Sequence, residues 1–138
     1  MSYAGFLVKA GGTEISNKYI DEEGYKCTPE QRQDEDSYRD AGIGTLNRNV
    51  LPHMPSKVEI AFVEGMNNQE LAELMDCFTG NFSIAKERKG TYTFFNPLND
   101  SYLSEEMYMP DPQVQINHID KETNTVYYNS FTIKLIGY

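Results

Sequence analysis

The chain has no tryptophan, two cysteines and two histidines in 138 residues, and its 12 basic residues stand against 21 acidic ones. Each shortage excludes something. Cys27 and Cys77 define no disulfide framework and are expected to be free, small hydrophobes. His53 and His118 have no Ser, Cys or Asp beside them in a nucleophile or metal motif, so no catalytic site, cofactor or metal is expected. Both histidines are read as structural, interface or solvated residues. A formal net charge of -9 repels nucleic acid and anionic lipid, so neither is an expected partner. No long hydrophobic run occurs: Gly5 to Ala10 is too short for a signal core or a membrane span. The protein is therefore expected to be made in the cytoplasm, and to stay there or leave by a route such as lysis.

Aromatic residues are plentiful, with ten Tyr and seven Phe, and they favour strands. A chain of 138 residues suits one domain with a real core, residues 1 to 138. Only one stretch carries a helical repeat. Asn67 can cap it, with Glu70 three residues later completing a capping box, and Leu71, Leu74, Met75 and Phe78 then form one apolar stripe. Gly80 and Asn81 end the helix, predicted over 67 to 79. So short a helix is marginal alone in water, so its stripe must be buried against a sheet.

Elsewhere the pattern is that of strands. Gly5 to Ala10 and Thr13 to Ile15 form a predicted hairpin turning at Gly11-Gly12. Lys57 to Glu64 alternates, with Val58, Ile60 and Phe62 on one face. Thr91 to Phe95 and Tyr102 to Met109 read as an antiparallel pair. Val114 to Ile119 and Thr125 to Ile136 read as a last hairpin, with Phe131, Ile133 and Leu135 on one face of the final strand.

Between about residues 26 and 56 the chain turns polar, and little of it can reach a core. It reads as a protruding β-hairpin arm with legs Gln33 to Arg39 and Thr45 to Leu51 and a tip at Asp40-Ala41-Gly42-Ile43-Gly44. Its acids Asp34, Glu35, Asp36 and Asp40 do not make a calcium loop, because Tyr38 stands where a third ligand belongs. They are expected to face Arg32, Arg39 and Arg48, within the arm or on a neighbour. Lys86-Glu87-Arg88-Lys89 is expected to be a solvated loop rather than a nucleic-acid site. The fold class that results is mainly β, a sandwich or barrel with one packed helix and a long arm.

The stretches TPEQRQDEDSYRD, LNRNVLPHMPSKVEI, ELAELM, AKERK and the YMPD of Tyr108 to Asp111 resemble a family of small, largely uncharacterised tail proteins encoded by prophages of Gram-positive bacteria. The resemblance covers most of the chain and includes no catalytic signature. It implies a virion component near the tail tube or its tip, similar to the tail-tube fold, with the arm contacting the next ring. Asp34, Asp36, Tyr38, Arg39, Asp40, Arg48, Asn49 and His53 would then be interface residues. The implied partners are further copies of the chain, in a sixfold or threefold ring, and other tail proteins; an acidic lumen would let DNA pass without sticking. The rival is a small acidic phage-encoded inhibitor that occupies a host protein and acts as a monomer or dimer.

Overall fold

A computed structural model describes residues 2–138. The chain opens with a hairpin, β1 (Val8–Ala10) and β2 (Thr13–Glu14), followed by β3 (Ile20–Thr28). The arm holds β4 (Tyr38–Arg39) and β5 (Leu46–Asn47). Next come β6 (Lys57–Phe62), α1 (Asn68–Thr79), β7 (Phe82–Ile84), β8 (Lys89–Asn96) and β9 (Ser101–Tyr108). Last are β10 (Ile116–Asp120), β11 (Thr125–Tyr128) and β12 (Phe131–Gly137). Eight strands make one sheet in the order β2-β1-β8-β9-β12-β6-β3, with β7 also on β8, and every pairing is antiparallel.

That sheet is strongly curled. In a flat sheet β3 and β8 would lie four strand spacings apart, roughly 19 Å. Yet the Tyr25 phenol on β3 donates to the Phe95 carbonyl on β8 at 2.5 Å. Among the described residues no ladder joins β3 to β2, so the sheet rolls toward a barrel without closing. Its concave face holds Val8, Ala10, Val58, Ile60, Phe62, Tyr92, Phe94, Met107, Ile133 and Leu135, all buried. The alternation in β6, β8 and β12 places them there, because successive side chains leave opposite faces of a strand.

α1 adds Leu71, Leu74 and Phe78 to the same core, while Met75 packs on it half-buried. The capping box is present: the Asn67 side chain accepts from the Glu70 N–H at 2.8 Å, and Glu70 returns a bond from the Asn67 N–H at 3.2 Å. Gly80 caps the other end. Cys27 and Cys77 are both free thiols, partly buried.

Two expectations need correction, and one further strand carries no signal in the sequence. Residues 26 to 28 are not arm: Lys26, Cys27 and Thr28 pair with Glu59, Val58 and Lys57 as the end of β3. This long strand is masked in the sequence because Asp21, Glu22 and Glu23 interrupt its apolar period, at an irregularity in the ladder between Ile20 and Tyr25. Thr125 to Ile136 is not one strand but two, broken at Asn129-Ser130: β11 pairs only with β10, whereas β12 crosses into the main sheet. β7 is a short edge strand, too brief to carry a period.

Leu74→Ala is expected to lower stability by about 2 to 5 kcal/mol, since it opens a cavity between helix and sheet. Glu73→Ala, on the exposed side, should cost far less. Urea unfolding of the two variants checks this, and equal small losses would mean that the helix presents another face to the core.

Candidate assembly interface

The arm leaves the sheet after β3 and returns at β6. Its root is closed by the Gln31 N–H donating to the Pro55 carbonyl at 2.9 Å and the Glu30 N–H donating to Ser56 Oγ at 2.9 Å. Glu30 sits at φ 47, a left-handed kink at the turn-off. Ser56 is fully buried, and both its donors end on one carboxylate: its N–H reaches Glu105 Oε1 at 3.0 Å and its hydroxyl bonds Glu105 Oε2. Glu105 faces inward from β9, opposite Tyr92. Gly137 makes room for it, because a Cβ there would stand 2.9 Å from Pro55 Cβ and 3.0 Å from Glu105 Oε1. Cys27 lies close by. Burial pushes its thiol up to about 11, and the negative charge of Glu105 acts in the same direction, so it is a protonated packing residue rather than a nucleophile.

Beyond the root the legs bond to each other. Leu51 N–H donates to Gln33 O at 2.8 Å, Glu35 N–H to Asn49 O at 2.8 Å, and Asn49 N–H to Ser37 Oγ at 2.9 Å. Asp34 is bridged to Val50, Tyr38 pairs with Asn47, and Arg39 pairs with Leu46. Asp36 takes φ 54, a left-handed kink within the first leg. Arg48 grips Asp34 with two bonds, Nη2 to Oδ1 at 2.8 Å and Nε to Oδ2 at 3.1 Å. This fork holds the Asp34 carboxyl below its ordinary value, chiefly through the hydrogen bond. At the tip Asp40 Oδ1 accepts from the Gly42 and Ile43 N–H groups, at 2.7 and 3.2 Å, and Arg39 donates to Gly44 O at 3.1 Å.

The sequence-predicted interface residues thus fall into two groups. Asp34, Arg39, Asp40, Arg48 and Asn49 spend at least one bond building the arm itself, whereas Asp36 and Tyr38 face outward. Tyr38 is 63% exposed and Ile43, at the tip, is 80% exposed. Between residues 31 and 55 only Pro55, at the root, is buried, and the hydrophobic core cluster takes no residue from this stretch. His53 is tied down at the arm's foot, where Nε2 bonds the Tyr138 main-chain oxygen. Tyr138 is in turn held by Glu87, to which its hydroxyl donates at 2.7 Å, and by Lys89 over its ring. The basic stretch 86 to 89 is likewise engaged: Arg88 pairs with Asp111 at 3.2 Å and Lys89 with Glu106 at 3.5 Å.

Residues 1–138 match the family described as Family of unknown function (DUF6711). The chain belongs to that family. No curated protein and no solved structure matches it. No helix among the described residues is long and apolar enough to cross a membrane, and they include no group of three or more His, Cys, Asp or Glu placed to hold a metal ion.

Sequence reasoning missed Glu105, although a signal was present. Leu103, Glu105 and Met107 share one parity of a strand, and an acid between two apolar neighbours on a core-facing side needs a buried partner. Glu105→Ala would leave the Ser56 N–H and hydroxyl buried without an acceptor. It is expected to cost about 1 to 3 kcal/mol, with faster amide exchange at residues 30, 31 and 56 than elsewhere. Thermal melts with hydrogen-exchange mass spectrometry read both effects, and unchanged exchange at the root would show the clamp to be idle.

The Asp34–Arg48 link has a definite pH sense. A carboxyl depressed in the folded state supports structure above its ordinary value of 3.8 and loses that support as the pH falls below it. In an NMR titration the Arg48 Nε–H and arm amide signals should move together below 3.8, while core signals stay in place.

Proposed function

We propose that this protein is a structural component of a bacteriophage or prophage tail, a tube, terminator or distal hub ring that assembles through its arm. The observation that carries the proposal is the arm itself: its legs are bonded to each other, its root is anchored at the buried Pro55 and Ser56, and none of residues 31 to 54 joins the core. Ordering so much polar chain costs conformational entropy, and a partner gives that order a use. Tyr38, Ile43 and Leu46 are exposed along the arm, and large apolar side chains on a preformed element suit contact with another protein. Open edges are also to hand, since β3 and β10 each have a side with no ladder among the described residues. A ring gives such edges neighbours.

The partners are then further copies of this chain and other tail proteins, and the site of action is the virion tail. The net charge of -9 suits a lumen that passes DNA without holding it. The acidic inhibitor remains the rival, and it requires no self-assembly.

Replacing Gln33 to Leu51 with a short Gly-Ser connector tests the proposal. The root bonds of Gln31 and Ser56 lie outside the excised segment, and loop length costs little. The melting temperature should hardly change while rings or filaments disappear from light scattering and electron micrographs. A wild-type protein that stays monomeric at high concentration would support the inhibitor instead, and a deletion that unfolds the domain would place the arm in the core.

A further inference from the structure

The convex face of the sheet carries one patch whose sign opposes that of the whole molecule. Glu59 on β6 stands directly opposite Lys134 on β12 and directly opposite Lys26 on β3, so three adjacent strands present the charges plus, minus, plus in a row. Lys57 adds a third cation, bonded to Glu59 at 3.2 Å. All three lysines lower the Glu59 carboxyl from its ordinary value, Lys57 foremost, then Lys134 and Lys26. Lys26 and Lys134 are exposed and make no ion pair among the described residues. Extended chain at 110 to 113 flanks the patch, leaving a groove beside Thr132 and Lys134.

The geometry points to this Lys26–Glu59–Lys134 face as the seat for the arm of a second copy of the chain, which names the receiving surface that the tail proposal needs and rests on it. The arm has the complementary charges. Glu35 and Asp36 are exposed acids with no ion pair, and the same leg carries Arg39. Neighbouring strands lie about 4.8 Å apart, so the row of three charges spans about 10 Å, a length that three or four residues of extended chain cover. Alternating signs suit a leg that carries both, whereas the phosphate backbone of nucleic acid, negative throughout, would meet Glu59 at the centre. Continuity favours the same occupant. Lys57, next along β6, begins the strand into which the arm root feeds, so arm and seat lie at one end of the sheet and a ring could repeat the contact.

Charge-swapped full-length variants decide the matter, with particle size from sedimentation and melting temperature as the check on folding. Lys26→Glu with Lys134→Glu should raise the concentration for half-assembly by about tenfold or more, as should Glu35→Lys with Asp36→Lys. All four changes in one chain should restore assembly. The milder Lys26→Gln with Lys134→Gln should give an intermediate effect if the Glu pair disturbs the sheet. Near 1 M salt, where screening reaches about 3 Å, wild-type assembly should weaken and the differences shrink. Wild-type protein that assembles while the lysine reversals leave assembly unchanged would overturn this inference alone. So would a fourfold variant no better than its parents. Wild-type protein that never assembles would overturn both this inference and the tail proposal. Binding of a labelled DNA duplex by wild type, lost in the lysine reversals, would assign the face to nucleic acid and overturn the arm as its occupant.

Discussion

The arrangement depends on one half-buried carboxylate and the fully buried serine it holds. Glu105 receives both donors of Ser56 at the point where the chain leaves its polar excursion and enters the core. A buried donor without a partner costs more than a satisfied one contributes, so the acid and the serine hold each other in place. Gly137 allows the approach because it has no side chain, and its own N–H donates to the Ser56 carbonyl at 2.8 Å. Three strands therefore converge at the arm root: β9 through Glu105, β12 through Gly137, and β6 through Ser56, the residue that leads into it.

That convergence explains how an arm that buries only Pro55 at its root can hold a direction. Its rigidity is local, in the ladder between the legs and the Arg48–Asp34 fork, and its orientation comes from the root. His53, bonded to Tyr138 just past the end of β12, supplies a second anchor at the foot. Exposed ion pairs add little to stability, so the fork is better regarded as fixing the register of the legs than as holding up the fold. The charges left over, Glu35 and Asp36, are those free to meet another molecule.

The body beneath is built differently. Its strands alternate cleanly, its concave side is apolar, and one short helix covers part of the opening with Leu71, Leu74 and Phe78. Curling brings β3 to the carbonyl of Phe95. The desolvated Tyr25 phenol is held well above its ordinary range, and it serves as a neutral donor that pins the roll of the sheet. The proposed tail role asks of this body only that it be stiff and repeatable.

Elements whose signal is local are legible in the residues that form them. The helix, its capping box and its stripe are written in Asn67, Glu70 and four apolar residues, because a 3.6-residue period and a cap need only near neighbours. The alternation of β6 and β12 and the glycine-tipped arm were legible for the same reason. Tertiary structure alone decided what depends on partners far along the chain. The acids in β3 hide a strand that only pairing with β6 reveals. The break at Asn129-Ser130 becomes visible only when β11 and β12 go to different sheets. Glu105 meets Ser56 across 49 positions of sequence, and Lys26, Glu59 and Lys134 become one row only through strand register. Periodicity records which face a residue takes, whereas its neighbour on that face is chosen by how the sheet closes.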